Sequence, residues 1–122
     1  DKNKLETLAH RISNTVFTIN DEQRAVLHVA AVFVNNFTNV LYQSAAELVE
    51  SKNISFDLLR PLLLETALKV QTHQPKDMQT GPDIRKDNNT LKKHLSFLKK
   101  EHPEFFLVYL QLTQLLYPDF KP

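Results

Sequence analysis

Apolar residues recur with helical spacing along most of the chain. Leu5, Leu8, Ala9 and Ile12 stand at i, i+3, i+4 and i+7, which predicts a short amphipathic helix. Residues 15–20, TVFTIN, alternate between two faces and are rich in β-branched side chains, which predicts a short strand. A lone strand needs a partner, so we expect residues 1–20 to be the tail of a missing Rossmann-type domain.

The longest predicted element is a helix over residues 21–51. The stretch contains neither Gly nor Pro, Asn20 is placed to cap it, and two acids occupy its first turn, where the helix dipole favours them. Polar residues interrupt its middle, whereas a membrane span needs about 20 mostly apolar residues. We therefore expect no membrane contact and a buried central helix. The interrupting residues are His28, Asn35, Asn36 and Asn39.

Three further helices follow. The second covers residues 55–73 with Ser55 as its cap, and Pro61 either kinks it or marks its true first turn. The third runs from the cap Asp87 to about Lys100, and the fourth begins at Pro103. The predicted fold is all-α, a helical bundle of residues 21–122 around one long helix. The third helix carries Leu91, Leu95 and Leu98 at helical spacing, and the fourth buries some of Phe105, Phe106, Tyr109, Leu112, Leu115 and Leu116.

Composition narrows the possible chemistry. The 122 residues are 42% hydrophobic and carry a net charge of +1, which suits one globular domain and argues against an overall design for nucleic acid. The lack of cysteine removes disulfides and thiolate chemistry, and is compatible with a cytoplasmic protein. A single glycine excludes phosphate-binding loops, and the five histidines form no i, i+4 pair, so no metal site is expected.

The long helix carries one candidate site. At about 100° per residue, His28, Asn35 and Asn39 fall on one narrow stripe with Asn36 beside it, opposite a wide apolar face. The stripe is either a solvated face or a wall of a cleft. Solvated faces are usually rich in Lys and Glu, whereas amides and imidazole suit a polar substrate.

The segment TGPDIRKD, residues 80–87, carries the second candidate. Gly-Pro marks a turn, Gly81 can adopt positive φ, and Asp87 can cap the next helix, so the segment is sufficiently explained as a turn. The alternative is that Thr80, nearby backbone amides and Arg85 bind an anion.

A third feature is the charge of residues 76–100, which contain seven basic and three acidic residues. Such a run is typical of a solvated face, and nucleic-acid binding ranks last among the possible functions.

Three stretches together resemble a known family. EQRAVLHVAAVFVNNFTNVLYQSAAEL, FDLLRPLLLETALKV and QTGPDIRKDNNTLKKHL resemble the C-terminal helical domain of Rossmann-like proteins with domain of unknown function 2520. That family is similar in architecture to 6-phosphogluconate dehydrogenase, pyrroline-5-carboxylate reductase and ketopantoate reductase. The resemblance implies a C-terminal substrate-binding and dimerisation domain of an NAD(P)-dependent oxidoreductase.

The resemblance also implies roles for particular residues. His28 would donate a proton or orient the substrate, and the amides of the stripe would bind a small carboxylated imine or carbonyl compound. NAD(P) would be held mainly by the missing domain, the protein would be a homodimer, and the fragment alone would be inactive. The sequence departs from the better-known relatives because Ala31, not lysine, stands one turn before Asn35. A non-enzymatic dimerisation or ligand-sensing module is the alternative. The substrate-binding set is Asn35, Asn36, Asn39, Thr80, Gly81 and Arg85.

Overall fold

A computed structural model describes residues 18–122, which are all-α and contain no strand. Helix α1 spans Asp21–Glu50. Helices α2 (Arg60–Thr72), α3 (Asn88–Glu101) and α4 (Phe106–Leu116) follow, and short 3₁₀ turns lie at Phe56–Leu59, Pro75–Met78 and Pro103–Phe105. The predicted first helix and residues 15–17 of the predicted strand lie outside the described residues. Residues 18–20 carry no regular secondary structure.

The chain divides into two compact units, Asp1–Val49 and Glu50–Pro122. Helix α1 dominates the described part of the first unit and begins as predicted at Asn20. The Asn20 side chain accepts a hydrogen bond from the Gln23 backbone N–H at 2.8 Å, and the Gln23 side chain accepts one from the Asn20 N–H at 3.0 Å. This reciprocal capping box satisfies two N–H groups that the first turn would otherwise leave unpaired.

The expectation that α1 is buried is wrong for the described residues. Ala31 is the one residue along the helix that is buried, and Phe33 is 61% exposed. Periodicity identifies the apolar side of a helix but does not say what covers it, and in this chain the apolar side lacks cover. The exposed apolar side chains of α1 are Val26, Val29, Phe33, Val34, Phe37, Val40 and Leu41.

By length and composition alone, α1 could cross a membrane. It has 30 residues, its most apolar window has a mean hydropathy of 1.3, and 6% of that window is buried. One such helix is weak evidence, because the core helix of a soluble protein meets the same criteria. The amides of Asn35, Asn36 and Asn39 oppose insertion, since unpaired polar groups cost several kcal/mol each in hydrocarbon.

The second unit has a small core built on α3. Asp87 caps α3 as predicted, and Leu91, Leu95 and Leu98 are buried along one face. Phe120, beyond the end of α4, is also buried and packs with Leu91 and Leu95. The tail that carries Phe120 is held by a 3.1 Å hydrogen bond from the Gln114 side-chain amide to the Phe120 carbonyl. Partly buried around this core are Phe106, Tyr109, Leu110 and Tyr117.

Helices α2 and α4 depart from the predictions in detail. Ser55 caps the 3₁₀ turn Phe56–Leu59, and Pro61 lies in the first turn of α2, so the proline marks a helix start. Pro103 likewise begins a 3₁₀ turn, and α4 itself starts at Phe106. Of the apolar residues predicted to be buried by α4, none is fully buried, and Leu115 is 76% exposed.

Candidate functional site

The middle of α1 is a π-helical segment, Val32–Phe37, between two α-helical pieces. Its end is stabilised by Thr38, whose hydroxyl donates to the Phe33 carbonyl five residues earlier at 3.1 Å, while the Thr38 backbone N–H bonds to the Asn35 carbonyl. The Phe33 and Phe37 rings meet edge to face, with centroids 5.2 Å apart. Wide turns of this kind occur often at functional sites, and this one contains Asn35 and Asn36.

The π-helical segment changes the geometry of the predicted polar stripe. The stripe was derived at about 100° per residue for a regular α-helix. A π-helical turn contains one more residue than an α-helical turn. Residues after it are therefore rotated about the helix axis by roughly 100° from the positions that they would have in a regular α-helix. Asn39 therefore no longer follows His28 and Asn35 on one line. Asn35 and Asn36 both lie within the segment.

The side chains of the predicted stripe are available to a ligand. Asn35, Asn36 and Asn39 are exposed, and none makes a side-chain hydrogen bond to another residue of 18–122. His28 is partly buried one turn before the π-helical segment, and its carbonyl accepts a bond from the Val32 N–H. A side-chain amide both donates and accepts hydrogen bonds, so these asparagines can bind either an acceptor group or a donor group of a small substrate.

Residues 80–87 form the turn that was predicted. Gly81 has φ of +114°, and Lys86 also lies in the left-handed region with φ of +55°. The Asp87 N–H donates to the Pro82 carbonyl at 2.8 Å, and the Lys86 N–H donates to the Asp83 carbonyl at 3.1 Å. The conformation at Gly81 is one that L side chains rarely adopt, which explains the single glycine of the chain at this position.

The backbone of this turn offers fewer anion-binding groups than its sequence suggests. The N–H groups of residues 84–88 all donate within the segment; that of Ile84, for example, bonds to the Asp83 carboxylate at 2.8 Å. The side chains of Thr80 and Arg85 are exposed and make no hydrogen bond or ion pair to another described residue. The groups of this turn that could hold an anion are therefore these two side chains and the N–H groups that precede residue 84.

Two ionisable groups near the turn have shifted pKa values. Hydrogen bonds from the Thr90 hydroxyl and then the Thr90 N–H lower the pKa of Asp87, at 2.8 and 3.2 Å. Burial, followed by the charge of Asp83, raises the pKa of Tyr109, whose hydroxyl lies 2.6 Å from His94 Nδ1. The lowered pKa keeps Asp87 ionised as the cap of α3.

Some contacts at the candidate site have no sequence signal. The wide turn depends on a threonine hydroxyl five residues from its acceptor, and such residues are common in regular helices. The His94–Tyr109 contact joins residues on two different helices, so the local spacing of residues in the sequence does not predict it. Asn35 and Asn36 lie in the π-helical segment of α1, and Thr80, Gly81 and Arg85 lie in the turn before α3. That the helix residues and the turn residues share one cleft stays a prediction.

Comparison with known proteins gives two findings. A family model described as domain of unknown function (DUF2520) matches residues 1–115. The chain is also similar to a crystal structure from Bacteroides fragilis, of a protein named a "putative NADP oxidoreductase", with 44% identity and a TM-score of 0.76. The match covers 82% of this chain and 38% of that one, so the chain spans well under half of its neighbour. No curated protein matches the chain.

Proposed function

The chain belongs to the family of domain of unknown function 2520, and from that membership we propose that it is the substrate-binding and dimerisation domain of an NADP-dependent oxidoreductase. The name of the neighbour supports an oxidoreductase reaction with NADP as the cofactor, and the 44% sequence identity supports proposing the same for the protein that contains this chain. The substrate class we propose is a small carboxylated imine or carbonyl compound. NADPH would supply the hydride.

The residues of this chain offer little to hold a dinucleotide. Its single glycine lies in a turn in which the N–H groups of residues 84–88 are already bonded, and a dinucleotide site needs several glycines and open amides. We therefore assign NADP mainly to residues outside 18–122. The part of this chain is to bind and orient the substrate, and to place a proton donor beside it.

The observation that carries the substrate-binding proposal is the π-helical segment Val32–Phe37. It presents Asn35 and Asn36 as exposed amides without internal partners, on a helix whose ends are regular. Each amide can donate to a carboxylate or accept from an iminium N–H. His28 lies one turn before this segment and is the proposed proton donor, because an imidazole ring can carry a proton on either nitrogen. Separately, Arg85 and Thr80 are proposed to bind an anionic group.

Kinetics of the intact protein test this proposal. NADPH oxidation is followed spectroscopically with a panel of small carboxylated imines and carbonyl compounds. Replacing Asn35 or Asn36 by Ala should raise the KM by about tenfold or more, because a lost hydrogen bond to a charged group costs about 1.5–3 kcal/mol. Asn89→Ala removes an exposed amide from the first turn of α3 and is the matched control. Wild-type KM in both helix variants contradicts the proposal.

The second candidate function is a non-enzymatic dimerisation or ligand-sensing module. The exposed apolar side chains of α1 favour it, because contiguous apolar surface usually marks an interface. We propose that a second copy of the chain covers this face. Phe33→Asp should then shift the sedimentation coefficient to that of a monomer, while Leu62→Asp, at an equally exposed position on α2, should not. A Phe33→Asp variant that sediments as the wild type excludes this interface.

The two functions are separated by activity. A protein that dimerises through α1 but oxidises no NADPH with any compound of the panel is the non-enzymatic module. A protein that turns over one of these compounds, with KM dependent on Asn35 or Asn36, is the oxidoreductase.

A further inference from the structure

A groove lies along α3 in the unit Glu50–Pro122, apart from the residues assigned to the substrate. It encloses about 280 Å³. Its apolar lining includes Leu95, which belongs to the buried core, and Phe106, which is partly buried at the start of α4. The polar lining comes from one face of α3. The lining residues are Lys92, Leu95, Ser96, Lys99, Phe106 and Pro122.

The two lysines of the groove stand in line along α3. Lys92, Ser96 and Lys99 occupy i, i+4 and i+7, which is nearly two full turns, so their side chains share one face. At about 1.5 Å rise per residue, the two lysines are separated by about 10 Å along the helix axis. The two lysines therefore stand about two turns apart on the face of α3 that lines the groove, together with the apolar residues Leu95 and Phe106.

What distinguishes these two lysines from Lys93 and Lys100 on the same helix is their position, because Lys92 and Lys99 line the groove and the other two do not. Lys92 makes no ion pair with any residue of 18–122, and the same holds for Lys99. The hydroxyl of Ser96 also makes no hydrogen bond within that range.

We propose that this groove binds a small amphipathic dianion, specifically a straight-chain dicarboxylate. One carboxylate pairs with Lys92 and the other with Lys99, and the carbon chain covers Leu95 and Phe106. A volume of about 280 Å³ lies slightly below the usual range of ligand pockets, about 300–1,000 Å³, so the groove has room only for a small molecule. Two cations favour a ligand with two negative charges over one with a single charge, and an extended nine-carbon dicarboxylate is about as long as the axial spacing of the two lysine positions on α3.

Ligand-observed NMR titration of the intact protein with nonanedioate tests the proposal. The expected Kd is about 1 mM, because the ligand is small and the groove is open to solvent. Nonanoate, with one carboxylate, should bind about three- to fivefold more weakly, the effect of one exposed ion pair. The double variant Lys92→Gln/Lys99→Gln should weaken nonanedioate binding about tenfold.

The matched control is Lys93→Gln/Lys100→Gln, which removes the same net charge from the same helix and should change the Kd by less than about twofold. Three results overturn the proposal. These are an absence of saturable nonanedioate binding up to about ten times the expected Kd, equal weakening by the two double variants, and equal affinity for nonanoate and nonanedioate. All four lysines are exposed, so neither double variant disturbs the core.

Discussion

The hydroxyl of Thr38 should stabilise the π-helical segment Val32–Phe37, and Thr38→Val tests this directly. In the wild type the hydroxyl donates to the Phe33 carbonyl at 3.1 Å across five residues, and the Thr38 backbone N–H bonds instead to the Asn35 carbonyl. Valine has nearly the same shape and a similar helix propensity, so the substitution removes the bond and little else.

The size of the effect follows from the value of one hydrogen bond. A side-chain bond to a carbonyl contributes about 1 kcal/mol net, and Thr38 is only partly exposed. Local opening of residues 33–38 should therefore become easier by about 1 kcal/mol, which accelerates amide hydrogen exchange about fivefold.

Thr66→Val is the matched control. The Thr66 hydroxyl donates to the Leu62 carbonyl, also at 3.1 Å, but across four residues in the regular helix α2. In a regular α-helix the Leu62 carbonyl also accepts a hydrogen bond from the backbone N–H four residues later. The Thr66 hydroxyl therefore adds little to the stability of the helix and slightly bends it. Exchange around residue 66 should change by less than about twofold.

Hydrogen exchange followed by mass spectrometry on the intact protein provides the comparison, with peptides covering residues 30–40 and 60–72. Faster exchange in the first peptide of Thr38→Val, with the second peptide of Thr66→Val nearly unchanged, is the expected pattern. Equal changes at the two sites, or no change at residues 33–38, would refute the role of this hydroxyl.

Three further predictions concern the second unit. Leu91→Ala should cost about 3–4 kcal/mol in urea denaturation, because Leu91 is fully buried, whereas Leu107→Ala, at a position 58% exposed, should cost under about 1 kcal/mol; equal losses would contradict the assigned core. Gly81→Ala should cost more than about 1 kcal/mol in the same assay, because φ is +114° and the new Cβ would lie 3.1 Å from Asp83 Oδ1; an unchanged midpoint would contradict this. Since the folded pKa of Asp87 is lowered, its carboxylate stabilises the fold above the unfolded pKa near 4, and that stability is lost as pH falls through the folded pKa. Asp87→Asn should make melting curves between about pH 2 and 6 less steep in pH than those of the wild type, since Glu65 and Glu101 keep their own lowered pKa values; a slope equal to that of the wild type would contradict the role of Asp87.

The elements of α3 were predictable because every local signal agreed. Asp87 is a good cap, and Leu91, Leu95 and Leu98 share one face, so capping and periodicity both place the helix at the same residues. The start of α1 at Asn20 was predictable for the same reason. The family, too, could be identified from three stretches of sequence.

Other features depend on contacts that a single sequence does not display. The wide turn in α1 arises from hydrogen bonds that periodicity ignores, and an angle of 100° per residue assumes that it is absent. Phe120 is buried although it lies beyond the last periodic helix, because the tail folds back and is bonded to Gln114. The apolar face of α1 was expected to be buried because a pattern shows which side is apolar without showing its cover.

The most direct test of the central claim is a crystal structure of the intact protein with NADP and the best compound from the NADPH-oxidation panel. The account predicts a hydrogen bond of about 2.7–3.2 Å between that compound and the side-chain amide of Asn35 or Asn36, with Val32–Phe37 still π-helical. A compound bound away from both amides, with Asn35 and Asn36 contacting only water, would contradict it.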